Sequence, residues 1–301
     1  MLHKMFQSLQ AKGQRLLMVS VPYLWLSFFF LVPFLIILKI SFSYSIVGIP
    51  PFANLIQASD DYLMNITLNL KNYVTVFSDA FYVESLLNSI KVSCFATFFC
   101  LILGYTIAYN IYKAPVHYRT LLLMLIMLPF WTSFLVRIYA LMNIMSNQGP
   151  INDCLMFLGF IKEPLDILGN IYAVCVGIVY CYLPFMILPL YATLEKIDNS
   201  CIEAASDLGA NPWRAFWRVT LPLSTNGIIA GSILVFIPAI GEFVIPELLG
   251  GPETVMIGRT LWWEFFNNRD WPLASALAVV MIILFVIPIM YAQRNRVSMD
   301  N

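Results

Sequence analysis

The sequence predicts an all-α membrane protein with six transmembrane helices, and three observations carry that prediction. Hydrophobic residues make up 60% of the chain and charged residues only 11%, against roughly 45–50% and about 25% in soluble globular chains. Six windows contain no Lys, Arg, Asp or Glu, and a helix needs about 20 apolar residues to cross roughly 30 Å of hydrocarbon. Lys and Arg gather in the segments on one side of those windows. Such a composition excludes an ordinary soluble enzyme, and the dominance of Phe, Ile, Leu and Val excludes a disordered chain. The 17 Lys and Arg balance 17 Asp and Glu, so the basic excess of a nucleic-acid binder is missing.

The windows are Leu16 to Leu38, Val92 to Tyr112, Thr120 to Val136 (extended past Arg137 to about Met145), Ile167 to Leu194, Val219 to Gly241, and Trp271 to Gln293. The first is too long for a signal-peptide apolar region and no small-residue cleavage pattern follows it, so it reads as a retained helix. Inner segments then hold Lys4, Lys12, Arg15, Lys113, Arg119, Lys196, Arg214, Arg218, Arg294 and Arg296, which places both termini in the cytoplasm. Of the outer basic residues, Lys39, Lys91 and Arg137 sit at helix ends and can snorkel. The resulting layout is a cytoplasmic segment 1–15, a six-helix domain 16–293 and a cytoplasmic tail 294–301. Outer loops cover 41–91, about 146–166 and 246–270, and the inner loop covers 195–222. Asp60, Asp61, Asp79, Asp153, Glu163, Glu247, Glu253 and Asp270 fall in the outer loops.

Cysteine and histidine chemistry is sparse. Cys94, Cys100, Cys175 and Cys181 lie inside spans, Cys201 is on the inner side and Cys154 alone reaches the outer side, so no outer pair exists to be oxidised. They read as small apolar fillers. His3 and His117 lie far from any Cys or acidic cluster, which argues against a metal or a His-based catalytic centre. No G-x-x-x-x-G-K-[ST] phosphate loop and no H-E-x-x-H occurs, so neither nucleotide binding by that loop nor zinc proteolysis is expected.

The inner loop carries the strongest local signals. Asn199 to Pro222 reads NSCIEAASDLGANPWRAFWRVTLP. Ser200 and Glu203 have capping-box spacing, Ala204 and Ala205 favour helix, and Gly209 is a stop, so a short helix is expected over about Cys201 to Leu208. Asn211 caps a second helix with Pro212 at its first position. In that helix Trp213, Phe216 and Trp217 share one face, while Arg214 and Arg218 lie on another. Both helices could rest in the inner headgroup layer, where Trp and Arg are at home. Alternatively, a rigid helix, turn and helix protruding between two spans could transmit force from a soluble partner.

The run Glu203-Ala204-Ala205, Gly209, and on to Leu221-Pro222 resembles the E-A-A-x-x-x-G loop of inner-membrane permease subunits of binding-protein-dependent ABC importers. Outside the loop the resemblance narrows. Pro22-Tyr23 with Trp25, Leu128 to Tyr139, Leu183 to Met186, Gly241 to Gly251 and Phe265 to Pro272 are similar to the PotB/PotH type of spermidine/putrescine permease, and most similar to its putrescine branch. In the sister spermidine permeases the position of Glu242 is apolar by this resemblance, so the carboxylate here points to putrescine. The resemblance implies a type I importer permease fold of the MetI-like kind and a chain that moves solute without covalent chemistry. It also implies docking on an ATPase through Glu203, Ala204, Ala205, Gly209 and, more weakly, Asp207. Its implied partners are a second related permease subunit in a heterodimer, an ATP-binding subunit dimer that alone holds ATP and Mg, and a periplasmic polyamine-binding protein.

Putrescine has an ammonium at each end of a four-carbon chain, so its pathway needs carboxylates and aromatic faces, each cation-to-ring contact contributing about 0.5–2 kcal/mol. Glu242 ends the uncharged fifth span on the order of 25 Å from its start near Thr225, with Pro238 and Pro246 on either side. It could line the pathway or merely terminate a span. Phe243, Glu247 and Trp262 are further pathway candidates, as are Trp131 and Tyr139, which could equally be packing or belt residues. Arg137 repels a cation and reads as snorkelling or paired with a carboxylate. Gly227 and Gly231 form G-x-x-x-G, a close helix contact. Thr254 to Phe266 is expected to be a surface helix with Ile257, Leu261, Trp262 and Phe265 on one side, whereas Tyr44 to Tyr73 shows no clear periodicity.

Other solutes share the same kind of inner loop, so a permease for another small solute is an alternative. An ion-coupled secondary transporter would require inverted repeats and midplane ionisable residues, and an intramembrane enzyme a nucleophile with its base. The spans show neither arrangement.

Overall fold

The computed structural model describes residues 2–58, 64–66 and 68–299, with the side chains of 19–55, 68–198 and 200–290. Lys4, Lys12, Arg15, Asp60, Asp61, Arg294, Arg296 and His3 lie outside the described side chains. The helices are α1 Leu2–Ser41, α2 Lys71–Ser78, α3 Ala80–Lys113, α4 Val116–Met127, α5 Phe134–Met145, α6 Pro150–Phe157 and α7 Ile171–Leu194. They continue as α8 Asn199–Asp207, α9 Pro212–Ala215, α10 Leu221–Leu223, α11 Thr225–Ile240, α12 Val244–Leu249, α13 Ile257–Trp262 and α14 Trp271–Met299.

Parts of α1, α3, α7 and α14 are each long and apolar enough to cross a membrane, and two bent pairs bring the total to six if each pair is one span. The third span is not the continuous helix that its charge-free window suggests. It turns by 92° between Trp131 and Phe134. Pro129 lies in the 3-10 turn Leu128–Trp131 before the break, and a proline supplies no N–H to continue the ladder. At the break Thr132 turns back on the proline, its N and Oγ1 both donating to Pro129 O at 3.2 and 2.7 Å. The fifth span bends by 64° beside Ser224, where five residues of π-helix, Phe216–Thr220, run into Pro222. The second span begins at Ala80, well before its charge-free window, because Asp79 caps it by accepting from Phe81 N at 3.0 Å.

The chain divides into two compact units. The first holds residues 1–78 and 264–280. Here the segment without sequence periodicity is tied by polar contacts: Asn72 Nδ2 donates to Ser41 O and Ser43 O at 2.9 and 3.0 Å, and the Ser41 and Tyr73 hydroxyls meet at 2.7 Å. A small antiparallel ladder pairs Ile56–Ala58 with Met64–Ile66, a minor departure from an all-helical chain. Trp271 stacks on Phe265 at 4.9 Å and meets Phe52 at 6.1 Å.

The second unit holds residues 79–263 and 281–301, with α3, α7 and α11 packed at its centre. Association inside lipid relies on close packing, because lipid tails are as apolar as leucine, and glycines permit that approach. A Cβ on Gly227 would stand 2.7 Å from Thr193 Oγ1 and 2.9 Å from Pro189 O; one on Gly231 would stand 2.7 Å from Met186 Sδ. The G-x-x-x-G spacing is therefore the α7–α11 contact. Met186, Ile187, Leu190 and Leu194 of α7 are fully buried against Cys100, Ala108 and Val235. The six cysteines are free, and only Cys100 and Cys181 are buried fillers; Cys94, Cys154 and Cys201 are exposed.

Candidate coupling loop and cation pathway

The inner loop folds as helix, turn and helix, with one change to its start. Helix α8 is capped by Asp198, whose Oδ1 accepts from Ser200 N at 2.9 Å, rather than by Ser200 with Glu203. Aspartate is as strong a cap as serine, and it stands before the first helical residue, so Ser200 is drawn into the first turn. That hydrogen bond holds the exposed Asp198 carboxyl below the ordinary aspartate value. Glu203 is thereby released from capping and stands exposed on α8 beside Ala204. The helix stops where expected: Gly209 has φ +82°, its N–H bonds Ser206 O at 2.9 Å, and Ala210 N–H reaches back to Ala205 O at 3.0 Å. These two bonds are the Schellman closure, which needs a left-handed residue at Gly209.

Asn211 Oδ1 accepts from Arg214 N at 2.8 Å and starts α9 with Pro212 first, as the sequence indicates. The aromatic face is split by the structure. Trp213 and Trp217 are exposed, whereas Phe216 wedges edge-on against Tyr105 and Tyr109 of α3 at 5.5 and 5.4 Å. Tyr105 Oη in turn bonds Ser224 Oγ at 2.9 Å, at the bend that opens α11. Packed rings and one buried hydrogen bond thus join the segment after α9 to α3 and to the start of α11. Sequence reasoning did not single out Leu208. It is 89% exposed at the turn, and its apolar side chain beside an enforced glycine stop was the available signal.

At the far end of α11 the structure gathers most of the remaining candidates. Glu242 is buried, with 7% of its surface exposed. Its Oε1 accepts from Val244 N at 3.0 Å, at the start of α12, and Oε2 accepts a very short hydrogen bond from Tyr182 Oη of α7. Glu242 thus ties the end of α11 to α7 and to the start of α12. Phe243 stacks on Trp262 at 4.7 Å with rings nearly parallel. Glu247 is paired with Arg259, Nε to Oε2 at 2.6 Å, and Arg259 Nη1 also donates to Gly251 O at 3.1 Å.

Helix α13 departs from the surface helix expected over Thr254 to Phe266. Ile257, Gly258 and Thr260 are buried, because Ile257 N donates to Ser89 Oγ at 2.7 Å and Thr260 Oγ1 meets Ser85 Oγ at 3.0 Å on α3. Buried serines of a spanning helix supplied polar partners that an apolar-face reading does not register. Only the Trp262 and Trp263 side of α13 stays exposed.

Trp131 and Tyr139 do not share a hydrogen bond or ring contact with the Glu242 group among the described residues. Trp131 is 90% exposed at the break of the third span and edges an apolar groove of about 460 Å³ along α4; Tyr139 is exposed on α5. Arg137 is half-buried and forms no ion pair among the described residues. Its guanidinium lies over Phe130 at 4.9 Å and Phe134 at 5.7 Å.

Comparisons with known proteins agree with this architecture. Residues 15–296 match the family described as binding-protein-dependent transport system inner membrane component. The spermidine/putrescine transport system permease protein PotB of Haemophilus influenzae is 40% identical over 279 residues, spanning 92% of this chain and 93% of its own. PotB of Escherichia coli K12 is 39% identical over 260 residues, or 86% and 90% of the two chains. Among solved structures, a chain of a bacterial alginate ABC transporter superposes with a TM-score of 0.72 at 17% identity, over 95% of this chain and 94% of that one. One from the MetNI methionine ABC transporter gives 0.55 at 16%, over 71% and 94%. These likenesses establish the MetI-like permease fold, and the relatives are transport components rather than enzymes. The chain belongs to the family of binding-protein-dependent transport system inner membrane components.

Proposed function

We propose that this chain is one permease subunit of an ATP-driven polyamine importer, with putrescine as its principal cargo, and that α8 couples it to a partner ATPase. The single observation that carries the coupling is the exposed, Schellman-closed helix bearing Glu203, Ala204, Asp207 and Leu208, joined through Phe216 to the central helices. The cargo reading rests on the PotB relatives and on the buried carboxylate of Glu242, a group that suits an organic ammonium. A second permease subunit completes the pathway, a loaded periplasmic binding protein docks outside, and ATP with Mg stays on the ATPase pair. Closure of that pair pushes α8, and alternating access follows in the spans.

Uptake of labelled putrescine tests this reading in proteoliposomes holding this chain, its co-purifying permease and ATPase, with ATP inside and binding protein outside. ATP-dependent accumulation that spermidine competes only weakly is expected. Accumulation of neither amine, with the ATPase bound and stimulated by another loaded binding protein, would discard the polyamine cargo and leave an importer for another small solute.

A further inference from the structure

A buried N–H of a guanidinium normally finds an acceptor, because an unmet donor gives up its hydration for nothing. Arg137 departs from that rule. Its Nε is buried without a hydrogen-bond partner among the described residues, and the group is held over two ring faces, Phe130 at 4.9 Å and Phe134 at 5.7 Å. Both rings flank the break of the third span, where Thr132 and Ser133 are extended. From Phe130 the aromatic contacts continue to Phe185 at 5.1 Å and on to Tyr182 at 6.1 Å, whose hydroxyl bonds Glu242. An aromatic cation site and a buried carboxylate are therefore joined by a row of rings.

We propose that Phe130 and Phe134 form a binding site for a primary organic ammonium, and that Arg137 is the chain's own occupant of it, displaced when cargo passes. Ring faces accept a guanidinium and an ammonium by the same quadrupole attraction. The resident group is attached by ring contacts and lacks the bidentate carboxylate bonding that would lock an arginine in place, so exchange does not require breaking an ion pair. A self-filled site also keeps the row of rings closed to inorganic cations when no cargo is present. The proposal rests on an amine cargo, and its test separates the two claims.

The experiment is equilibrium binding of labelled putrescine and labelled methylammonium to the assembled complex in nanodiscs without binding protein. It compares wild type, Arg137→Ala and Arg137→Met. Alanine vacates the site, whereas methionine refills it without charge. We expect Arg137→Ala to bind both amines roughly tenfold more tightly than wild type, the size of two cation-to-ring contacts, and Arg137→Met to show no gain. Adding Phe130→Ala to Arg137→Ala should abolish the gain. Arg137→Ser vacates the site equally and serves if the alanine variant does not assemble. Equal gains in the alanine and methionine variants, or a gain in neither, would overturn the proposal. A gain in methylammonium binding alone, in a complex that imports no putrescine, would sustain the ammonium site and refute the polyamine cargo.

Discussion

Glu242 and Tyr182 form a buried hydrogen-bonded pair whose disruption has a measurable consequence. Tyr182→Phe removes the one side-chain donor to Oε2 of Glu242 among the described residues and leaves that oxygen buried, which should cost about 1–3 kcal/mol. A lowered thermal midpoint of the purified complex is the expected reading, and an unchanged midpoint would show that the hydrogen bond is dispensable. Asp198 gives a pH prediction at the same scale. Its folded value is lowered from 3.8 by the Ser200 N–H, so its capping contribution is present above the ordinary aspartate range. That contribution is lost as pH falls through the lowered folded value. Asp198→Asn keeps an acceptor and should remove that pH dependence from α8 helicity, followed by circular dichroism of the loop in the assembled complex. Glu242 was legible as an ionisable residue at a span end. Tyr182 was not, since an aromatic residue in an apolar run carries no mark of the carboxylate that folding brings to it.

At the scale of elements, glycine geometry decides two contacts. Gly227→Leu would force a side chain into Thr193 and the Pro189 carbonyl and should destabilise the α7–α11 pair by about 1–3 kcal/mol, seen as a lower denaturation midpoint; an unaltered midpoint would contradict the close approach. Gly209 stands in open space, so its constraint is backbone alone. Gly209→Ala should weaken ATP hydrolysis stimulated by the binding protein through a left-handed penalty of about 1 kcal/mol. Gly209→Pro, whose ring fixes φ near −65°, should abolish the stimulation, and full stimulation in the proline variant would refute the turn's role. Both glycine features were readable from spacing and position. The 92° turn of the third span was not, because charge-free windows report apolarity and are silent about where Pro129 interrupts the ladder. The burial of α13 was hidden for a related reason, since its partners, Ser85 and Ser89, are distant in sequence.

For the molecule as a whole, the architecture is an inner-membrane permease in which the helix pair α8 and α9 is joined by Phe216, Tyr105 and Ser224 to the bend of α11, with Glu242 just beyond that helix. The apolar helices and the helix-turn-helix loop were legible because hydrocarbon thickness and helix capping act through local sequence. The route between them was not, because it is made of tertiary contacts. The claim that α8 drives this route is tested most directly by ATP hydrolysis of the reconstituted complex on addition of loaded binding protein, compared between wild type and Glu203→Lys. Reversing the charge on the exposed face of α8 should reduce the stimulation at least tenfold, a change of about 1.4 kcal/mol in coupling, with the permease pair inserted in equal amount. Stimulation at the wild-type level in Glu203→Lys would contradict coupling through this helix.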